Sequence, residues 1–432
     1  MIALRHVPRL LALDGGGVRG LSSLLIVERL MKEVQRLREE EGDPSPDGKP
    51  PLPCQYFDLI CGTSTGGLIA IMLGRLRMVS RSPSFLIWSL ISQPVDVCIQ
   101  NYLEFSKAVF RLDRNMLVPV GEGYSRFSPE PLEKALKKVV SDNTESNDPE
   151  TPLADPRNEI CRVFVVSTRG KDAGPIKLFR SYGFYKDECP IWQAARATTA
   201  APTYFPPAWV TVPSPAEWYI DGGVTQNNPS PIALKEGKEL WKARRCLLVS
   251  VGTGIQKRAD LVGNKNTPQD NPNESPALSG LVEAARSAVG ISNVGSTQPS
   301  PGGMMQNAGL KFGGIIKKSA SLIADKAVQL GRFPGGFFTT TRFLRELVKL
   351  STESEKTHNT LDAEARSKDV SAQFRYYRFN VQNGMDDTGL EEWQNWDLMA
   401  SLTRNYLDSS EVSARLTECA RNLLHPPGLE SM

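Results

Sequence analysis

Short apolar runs alternate with amphipathic stretches along most of this chain. Residues 9–13 have the pattern of a buried strand, and residues 21–37 carry apolar side chains at the spacing of one helix face. Further strands are predicted at residues 56–61, 161–167, 218–220, 246–251 and 374–381. Strands that alternate with helical segments predict an α/β fold, with a central and mostly parallel sheet flanked by helices.

The same pattern divides the chain into three parts. Residues 9–255 hold most of the predicted strands and form the expected core. Residues 256–335 are rich in Gly, Ser, Asn and Pro, with one helical pattern near 315–330, which predicts a flexible insertion or cap. Residues 336–432 add a strand and helices that we expect to complete the same domain.

The composition is that of an ordinary globular protein, with 40% hydrophobic and 23% charged residues. No apolar stretch approaches the roughly 20 residues that span a bilayer, and the apolar part of the N-terminus is too short for a signal peptide. Seven cysteines without a C-x-x-C spacing predict buried free thiols rather than a zinc site. We therefore expect a cytoplasmic protein.

Positive charge is concentrated in one segment, although the net charge is only +3. Residues 301–350 hold eight basic and two acidic side chains, interspersed with phenylalanines. This segment could make transient contact with an anionic membrane surface, which would place the protein peripherally on membranes, or it could be a solvated helix and loop. The charge distribution gives no indication of a nucleic-acid partner.

The first candidate for chemistry is a serine between a predicted strand and a predicted helix. Ser64 lies in Gly62-Thr63-Ser64-Thr65-Gly66, directly after an apolar run and directly before another. Glycines on both sides permit a sharp turn that exposes the serine hydroxyl. The pattern predicts a nucleophilic serine at a strand-to-helix elbow.

A second motif, at residues 14–20, also follows a strand and precedes a helix. Its glycines allow several backbone N–H groups to point at one anion without obstruction by side chains. For an acyl-transfer enzyme such a loop is an oxyanion hole. Its three consecutive glycines are Gly15, Gly16 and Gly17.

The spacing of Gly15, Gly17 and Gly20 also satisfies the dinucleotide-binding fingerprint, so nucleotide binding is an alternative. Three features weaken it. Asp14 directly precedes the first glycine, and Arg19 lies inside the turn. The acidic residues about 20 positions further on also fall in a charged loop rather than at a strand end.

A third motif places a carboxylate at the end of a predicted strand. Asp221 follows Tyr219-Ile220 and precedes Gly222 and Gly223. It is the candidate base, although an aspartate that only caps a turn would have the same local sequence. Apolar neighbours such as Tyr219, Ile220, Phe205 and Trp209 could raise its pKa by desolvation.

Histidine is scarce in this chain. His6 lies in the N-terminal segment, whereas His358 and His425 follow Asp221 in the order that a Ser-Asp-His triad requires. Both appear in polar, loop-like sequence and neither follows a strand directly. The chain therefore favours a site without imidazole, and a triad that uses His358 or His425 is the alternative.

Residues 14–20, 62–67 and 221–223 resemble, in that order, the three signatures of the patatin-like phospholipases. Residues 194–207 and 249–254 resemble the helix before the family's aspartate and its later strand, so that the resemblance covers about residues 9–255. It implies a three-layer α/β sandwich and a catalytic dyad of Ser64 and Asp221. The implied oxyanion hole combines the N–H groups of Gly15, Gly16 and Gly17 with that of Thr65. The supporting motif positions are Asp14, Arg19, Gly20, Gly62, Gly66, Gly222 and Gly223.

The resemblance implies a calcium-independent serine ester hydrolase that cleaves fatty-acid esters of phospholipids or related glycerolipids. It requires no metal and no cofactor, and its partner is the lipid substrate. Arg19 could support the glycine loop or position a lipid phosphate. A non-catalytic lipid-sensing module on the same fold remains the alternative from another functional class.

Overall fold

A computed structural model describes residues 7–78, 94–110, 118–120, 123–156, 161–170, 175–184, 186–202, 204–212, 214–243, 245–255, 354–367, 374–385 and 388–426. The predicted insertion at 256–335, its helical pattern and the basic segment 301–350 lie outside these residues, as does His6. The boundaries predicted for the three parts of the chain stay predictions. The described residues belong to one unit built from 1–256 and 348–432.

The central sheet combines a parallel part with an antiparallel part. Its strands are β1 (Arg9–Leu13), β2 (Leu59–Thr63), β5 (Arg162–Arg169), β6 (Ile176–Arg180), β7 (Ala208–Val210), β8 (Glu217–Asp221), β9 (Cys246–Val251) and β10 (Phe374–Phe379). They run in the order β10-β9-β1-β2-β5-β8-β7, and β6 pairs with β5. The first five strands of this order are mutually parallel, whereas β6, β7 and β8 pair antiparallel. Strands β3 (Val118–Val120) and β4 (Gly123–Ser125) form a separate antiparallel pair.

Helices follow most of these strands. They are α1 (Gly20–Glu40), α2 (Pro53–Tyr56), α3 (Thr65–Ala70), α4 (Pro94–Val109), α5 (Pro129–Asn143), α6 (Ile191–Thr198), α7 (Gly223–Gln226), α8 (Ser230–Trp241), α9 (Glu355–Arg366), α10 (Trp396–Leu407) and α11 (Ser410–Leu424). Gly17–Arg19 and Trp393–Asn395 are short 3-10 turns, and α3 continues into a π-helical turn at Ile71–Arg75.

Both faces of the parallel strands are covered, which explains why their sequences are continuously apolar. On one face, Leu11 and Leu13 of β1 join the apolar core that includes the buried side of α1. On the other face, α8 packs on β1 so closely that a Cβ at Gly237 would lie 2.8 Å from a methyl carbon of Leu10. The predicted α/β architecture with a mostly parallel sheet flanked by helices is confirmed.

The strands and helices predicted within the described residues are present, but some of them begin or end at other residues than predicted. The second strand begins at Leu59 rather than at residue 56, because Pro53 opens the short helix α2 before it. The helix predicted at 21–37 extends over Gly20–Glu40. All seven cysteines are buried free thiols, as predicted. In the part of the chain that the structure describes, every helix is too short or too polar to span a bilayer.

Candidate active site

Ser64 is the single residue between β2 and α3, and its backbone is strained. Its φ of 55° lies in the left-handed region, which residues other than glycine seldom adopt. Glycine is needed on both sides. A Cβ at Gly62 would lie 2.0 Å from the Gly66 carbonyl oxygen, and a Cβ at Gly66 would lie 2.4 Å from the Leu13 carbonyl oxygen. The predicted elbow is therefore present, and it holds the serine at the end of the sheet.

Asp221 is the last residue of β8, and its carboxylate meets the Ser64 hydroxyl. The Ser64 Oγ donates a hydrogen bond of 2.6 Å to Asp221 Oδ2. The backbone N–H of Gly223 donates one of 2.7 Å to Oδ1. Asp221 is 4% exposed. Burial raises the pKa of its carboxyl from 3.8 to about 7, although the hydrogen bonds from Ser64 and Gly223 act to lower it.

Strand β5 brings these two residues together although they are far apart in sequence. Thr63, directly before the serine, is in register with Val166 of β5. Asp221 is in register with Ser167, the next residue of the same strand. The last residues of β2, which is parallel to β5, and of β8, which is antiparallel to it, therefore meet at one position along β5.

The glycine loop lies against Ser64, and its N–H groups are not equivalent. A Cβ at Gly15 would lie 2.9 Å from the Ser64 Cβ. The Gly15 N–H donates to the Asn227 carbonyl oxygen over 3.3 Å, and the Gly16 N–H donates to Thr65 Oγ1 over 3.2 Å. For the N–H groups of Gly17 and Thr65, the described residues provide no acceptor.

The conformation of the glycine loop excludes side chains at its centre. Gly17 has a φ of 57°, and a Cβ there would lie 2.2 Å from the Leu390 carbonyl oxygen. The Gly17 carbonyl oxygen accepts a 2.5 Å hydrogen bond from the Tyr102 hydroxyl. The loop is therefore fixed from one side by helix α4 and from another by the segment that contains Leu390.

A buried charge pair anchors the start of the loop. Arg378 of β10 donates to Asp14 Oδ2 over 2.6 Å, and the two side chains are 3% and 1% exposed. The same guanidinium also reaches Ser250 Oγ at 2.9 Å and Glu355 Oε1 at 3.1 Å. Although burial acts to lower the pKa of Arg378, the Asp14 carboxylate holds it above its ordinary value. Burial raises the pKa of the Asp14 carboxyl, although the Arg378 guanidinium acts to lower it.

Asn227, Thr253 and Thr198 also hold the site, and none of them was predicted. Asn227 Nδ2 and Thr253 Oγ1 both donate to the Gly15 carbonyl oxygen, at 3.1 and 3.2 Å. Thr198 Oγ1 accepts the Ser64 N–H at 3.0 Å and donates to a carbonyl oxygen of β5. The Asn-Asn-Pro sequence after the third motif was the one available signal for Asn227.

Arg19 lies inside the fold, at 1% exposure. Its Nε donates to the Gly16 carbonyl oxygen over 3.3 Å. Burial lowers the pKa of its guanidinium to about 10. Of the two predicted roles, this geometry favours support of the glycine loop over contact with a lipid phosphate.

An apolar cavity opens on the nucleophile. Ser64, Thr65, Thr199 and Gly17 contribute to its lining. Most of the other lining residues are apolar or aromatic and include Leu68, Phe105, Phe110, Leu132, Tyr204 and Phe205. Of the residues expected to desolvate Asp221, Phe205 lines this cavity and Tyr219 is buried. The expectation for Trp209 is wrong, because its side chain is 61% exposed.

The described histidines have hydrogen-bond partners other than Ser64 and Asp221. His358 is in helix α9, not in a loop as predicted, and its Nδ1 is 3.2 Å from the Tyr376 hydroxyl oxygen. His425 follows the last turn of α11 and contacts the exposed Glu41. Neither makes a hydrogen bond to Ser64 or Asp221 in the described part of the chain. Nor does that part bring together three His, Cys, Asp or Glu side chains able to hold a metal ion.

Comparison with known proteins identifies the family. The model of a family described as patatin-like phospholipase matches residues 11–234. Calcium-independent phospholipase A2-gamma of Rattus norvegicus is 30% identical over 266 residues, 57% of this chain and 28% of that protein. The cGAMP-activated phospholipase of Vibrio cholerae is 30% identical over 247 residues, which are 54% of this chain and 58% of that protein. Patatin-like protein 1 of Arabidopsis thaliana is 28% identical over 272 residues, which are 58% of this chain and 60% of that protein.

The matched region spans less than two thirds of each of these relatives. The family match covers more than half of this chain. The chain therefore belongs to the patatin-like phospholipase family, as the three sequence motifs predicted.

Proposed function

We propose that this member of the patatin-like phospholipase family is a lipid acyl hydrolase, which cleaves fatty-acid esters of phospholipids or related glycerolipids. The observation that carries the proposal is the 2.6 Å hydrogen bond from Ser64 Oγ to the buried Asp221 carboxylate. Ser64 lines a cavity whose other lining residues are mostly apolar. A nucleophile and its base beside an apolar cavity suit an acyl ester, because the cavity can take the acyl chain.

In the proposed acylation step, Ser64 Oγ forms a bond to the ester carbonyl carbon and its proton passes to Asp221. The carbonyl electrons move onto oxygen. When the tetrahedral intermediate collapses, the bond to the leaving alcohol breaks, and Asp221 returns the proton to that alcohol. A water molecule activated by the same carboxylate then releases the fatty acid from Ser64.

Asp221 suits this role because of its environment. A carboxylate with an ordinary pKa near 3.8 is a weak base towards a serine hydroxyl. Burial raises the Asp221 pKa to about 7, so the carboxyl is close to half ionised at neutral pH and holds an abstracted proton more tightly. An imidazole is not needed for this proton transfer.

We assign stabilisation of the oxyanion first to the N–H groups of Gly17 and Thr65, since no described acceptor occupies them. The Gly16 N–H joins them when the Thr65 hydroxyl rotates away, because their present bond is 3.2 Å long. The Gly15 N–H, bonded to the Asn227 carbonyl oxygen, has a smaller share than predicted and mainly holds the loop.

The test uses release of fatty acid from phosphatidylcholine vesicles in the presence of EDTA. Ser64→Ala and Asp221→Asn should each reduce the rate by roughly 10³-fold or more. Ser401→Ala and Asp397→Asn change the same residue types at exposed positions of helix α10 and serve as matched controls. Retained turnover in either site variant contradicts the dyad. Wild-type turnover that requires added calcium contradicts calcium independence.

A further inference from the structure

A short segment between strand β10 and helix α10 reaches the active site from the C-terminal part of the chain. We call its residues 388–393 the latch. Leu390 of the latch is one of the residues that line the cavity at Ser64. The family match ends at residue 234, so this contact comes from a part of the chain that the match does not cover.

The latch holds the peptide group that follows Gly17. The Leu390 carbonyl oxygen accepts the Val18 N–H at 2.9 Å. The other polar atom of this peptide group, the Gly17 carbonyl oxygen, accepts the hydroxyl of Tyr102. Because both polar atoms are bonded, the plane of the peptide group is fixed from two sides.

Gly17 needs this support because its own backbone is permissive. Glycine adopts a φ of 57° about as readily as a negative φ, so the residue alone does not fix the direction of its N–H. On one side, the Gly16 carbonyl oxygen accepts the N–H and the Nε of Arg19, at 3.2 and 3.3 Å. On the other side stands Leu390, whose carbonyl oxygen and Cβ would lie 2.2 and 2.7 Å from a Cβ at Gly17. The direction of the Gly17 N–H therefore depends on the position of Leu390.

Glu391 and Trp393 fasten the latch to the wall of the cavity. One carboxylate oxygen of Glu391 forms a salt bridge with Arg126, and the other accepts the Tyr204 hydroxyl at 3.1 Å. Trp393 Nε1 donates to the Phe110 carbonyl oxygen, also at 3.1 Å. The Glu391 side chain is only 13% exposed, so its charge is partly shielded from water and salt. Since Glu391 follows Leu390 directly in the chain, these contacts set the position of the Leu390 carbonyl group.

We propose that the latch positions the Gly17 N–H for the oxyanion, and that Glu391 is the positioning residue that holds the latch in place. The proposal rests on the proposed function, in which the Gly17 N–H is an oxyanion donor. Glu391 acts through Leu390 rather than on the substrate. Because the oxyanion develops in the transition state and is absent from the bound ester, loss of this support should lower kcat and leave KM nearly unchanged.

The first experiment measures hydrolysis of p-nitrophenyl butyrate. Glu391→Ala should lower kcat by roughly 10- to 100-fold, less than the loss of a whole oxyanion donor, and should keep KM within about twofold. Glu391→Gln keeps an oxygen that can accept a hydrogen bond from Arg126 or Tyr204, and its kcat should exceed that of Glu391→Ala by about threefold or more. Glu411→Ala and Glu411→Gln make the same changes at an exposed position of helix α11 and should keep the wild-type kcat.

The second experiment separates positioning from a general loss of structure by comparing inhibition by an octyl trifluoromethyl ketone and by octanol. Ser64 Oγ bonds to the ketone carbon, its proton passes to Asp221, and the carbonyl electrons move onto oxygen, so the adduct places an oxyanion at the donors. Octanol has the same alkyl chain without a carbonyl group. Glu391→Ala should weaken inhibition by the ketone by about the same factor as kcat and inhibition by octanol by less than about twofold.

Three results would overturn the proposal. If Glu391→Ala keeps kcat within about twofold of wild type while hydrolysis still depends on Ser64, the latch has no positioning role and the proposed function stands. If the ketone and octanol weaken equally, Glu391 only shapes the cavity. If the wild type hydrolyses no ester, the proposed function fails, and ¹⁹F NMR of the ketone adduct on Ser64 decides on the latch without turnover. An adduct that Glu391→Ala leaves equally stable, or no adduct in the wild type, then refutes it.

Discussion

Replacement of Asp221 by asparagine should remove activity and at the same time stabilise the protein at neutral and alkaline pH. Asparagine has the shape of the carboxyl group and can keep hydrogen bonds to Ser64 and to the Gly223 N–H. It cannot ionise, so it avoids the cost of a buried negative charge. The wild-type protein carries that cost because Asp221 has no described cationic partner.

The magnitude follows from the difference in pKa between the folded and unfolded chain. Because the folded-state pKa of Asp221 is raised from 3.8 to about 7, the folded chain holds this proton more tightly than the unfolded chain. The resulting stability is fully present below about pH 3.8 and is lost as the pH rises through about 7. At 1.36 kcal/mol per pKa unit, the full loss is about 4 kcal/mol, of which ~2.5 kcal/mol falls between pH 5 and pH 8.

The assay is urea unfolding of wild type, Asp221→Asn and Ser64→Ala at pH 5, 6, 7 and 8. The advantage in unfolding free energy of Asp221→Asn over wild type should grow by ~2.5 kcal/mol across this range. Ser64→Ala is the matched control, because it is also inactive but keeps the carboxyl group. Its stability should fall with rising pH as that of the wild type does, but at higher pH, because the lost hydrogen bond from Ser64 acts to lower the Asp221 pKa. If the unfolding free energies of wild type and Asp221→Asn change with pH in parallel, the raised pKa of the buried Asp221 carboxyl is refuted.

Three further predictions concern the support of the site. Arg378→Ala leaves the Asp14 carboxylate buried without its cation, and urea unfolding should show a loss of about 3–5 kcal/mol; a loss below ~1 kcal/mol would contradict the anchor. Gly62→Ala forces a Cβ against a carbonyl oxygen 2.0 Å away, so both the melting temperature and ester hydrolysis should fall sharply; a normal melting temperature with full activity would contradict the geometry of the elbow. His358→Ala and His425→Ala should each keep hydrolysis within about threefold of wild type, whereas a loss of 10²-fold or more in one of them would restore the triad.

The elbow and the carboxylate at the end of β8 could be predicted because their signals are local. A glycine two positions before and two positions after Ser64, between an apolar run and a helical one, specifies a sharp strand-to-helix turn. The contact between Ser64 and Asp221 could be predicted only with the help of the family resemblance. It depends on how β2 and β8 are aligned along β5, which no short sequence pattern encodes.

The anchor of the glycine loop could not be predicted, because Asp14 and Arg378 are 364 positions apart in the chain. The structure supplies the missing information: all residues of this strand except Arg375 are buried, and a buried arginine requires a partner. The error for Trp209 has a local cause. On the edge strand β7, side chains alternate between the two faces, and the central Trp209 is exposed while both of its neighbours are buried.

The measurement that tests the Ser64–Asp221 site most directly is covalent labelling of the whole protein by a serine-reactive alkyl fluorophosphonate, followed by intact mass and peptide mapping. The geometry predicts one adduct on Ser64, no adduct in Ser64→Ala and much slower labelling in Asp221→Asn, because the hydroxyl then lacks its base. No labelling of the wild type would contradict a catalytic Ser64 and favour the lipid-sensing alternative. Labelling of Asp221→Asn at the wild-type rate would contradict the role of the carboxylate.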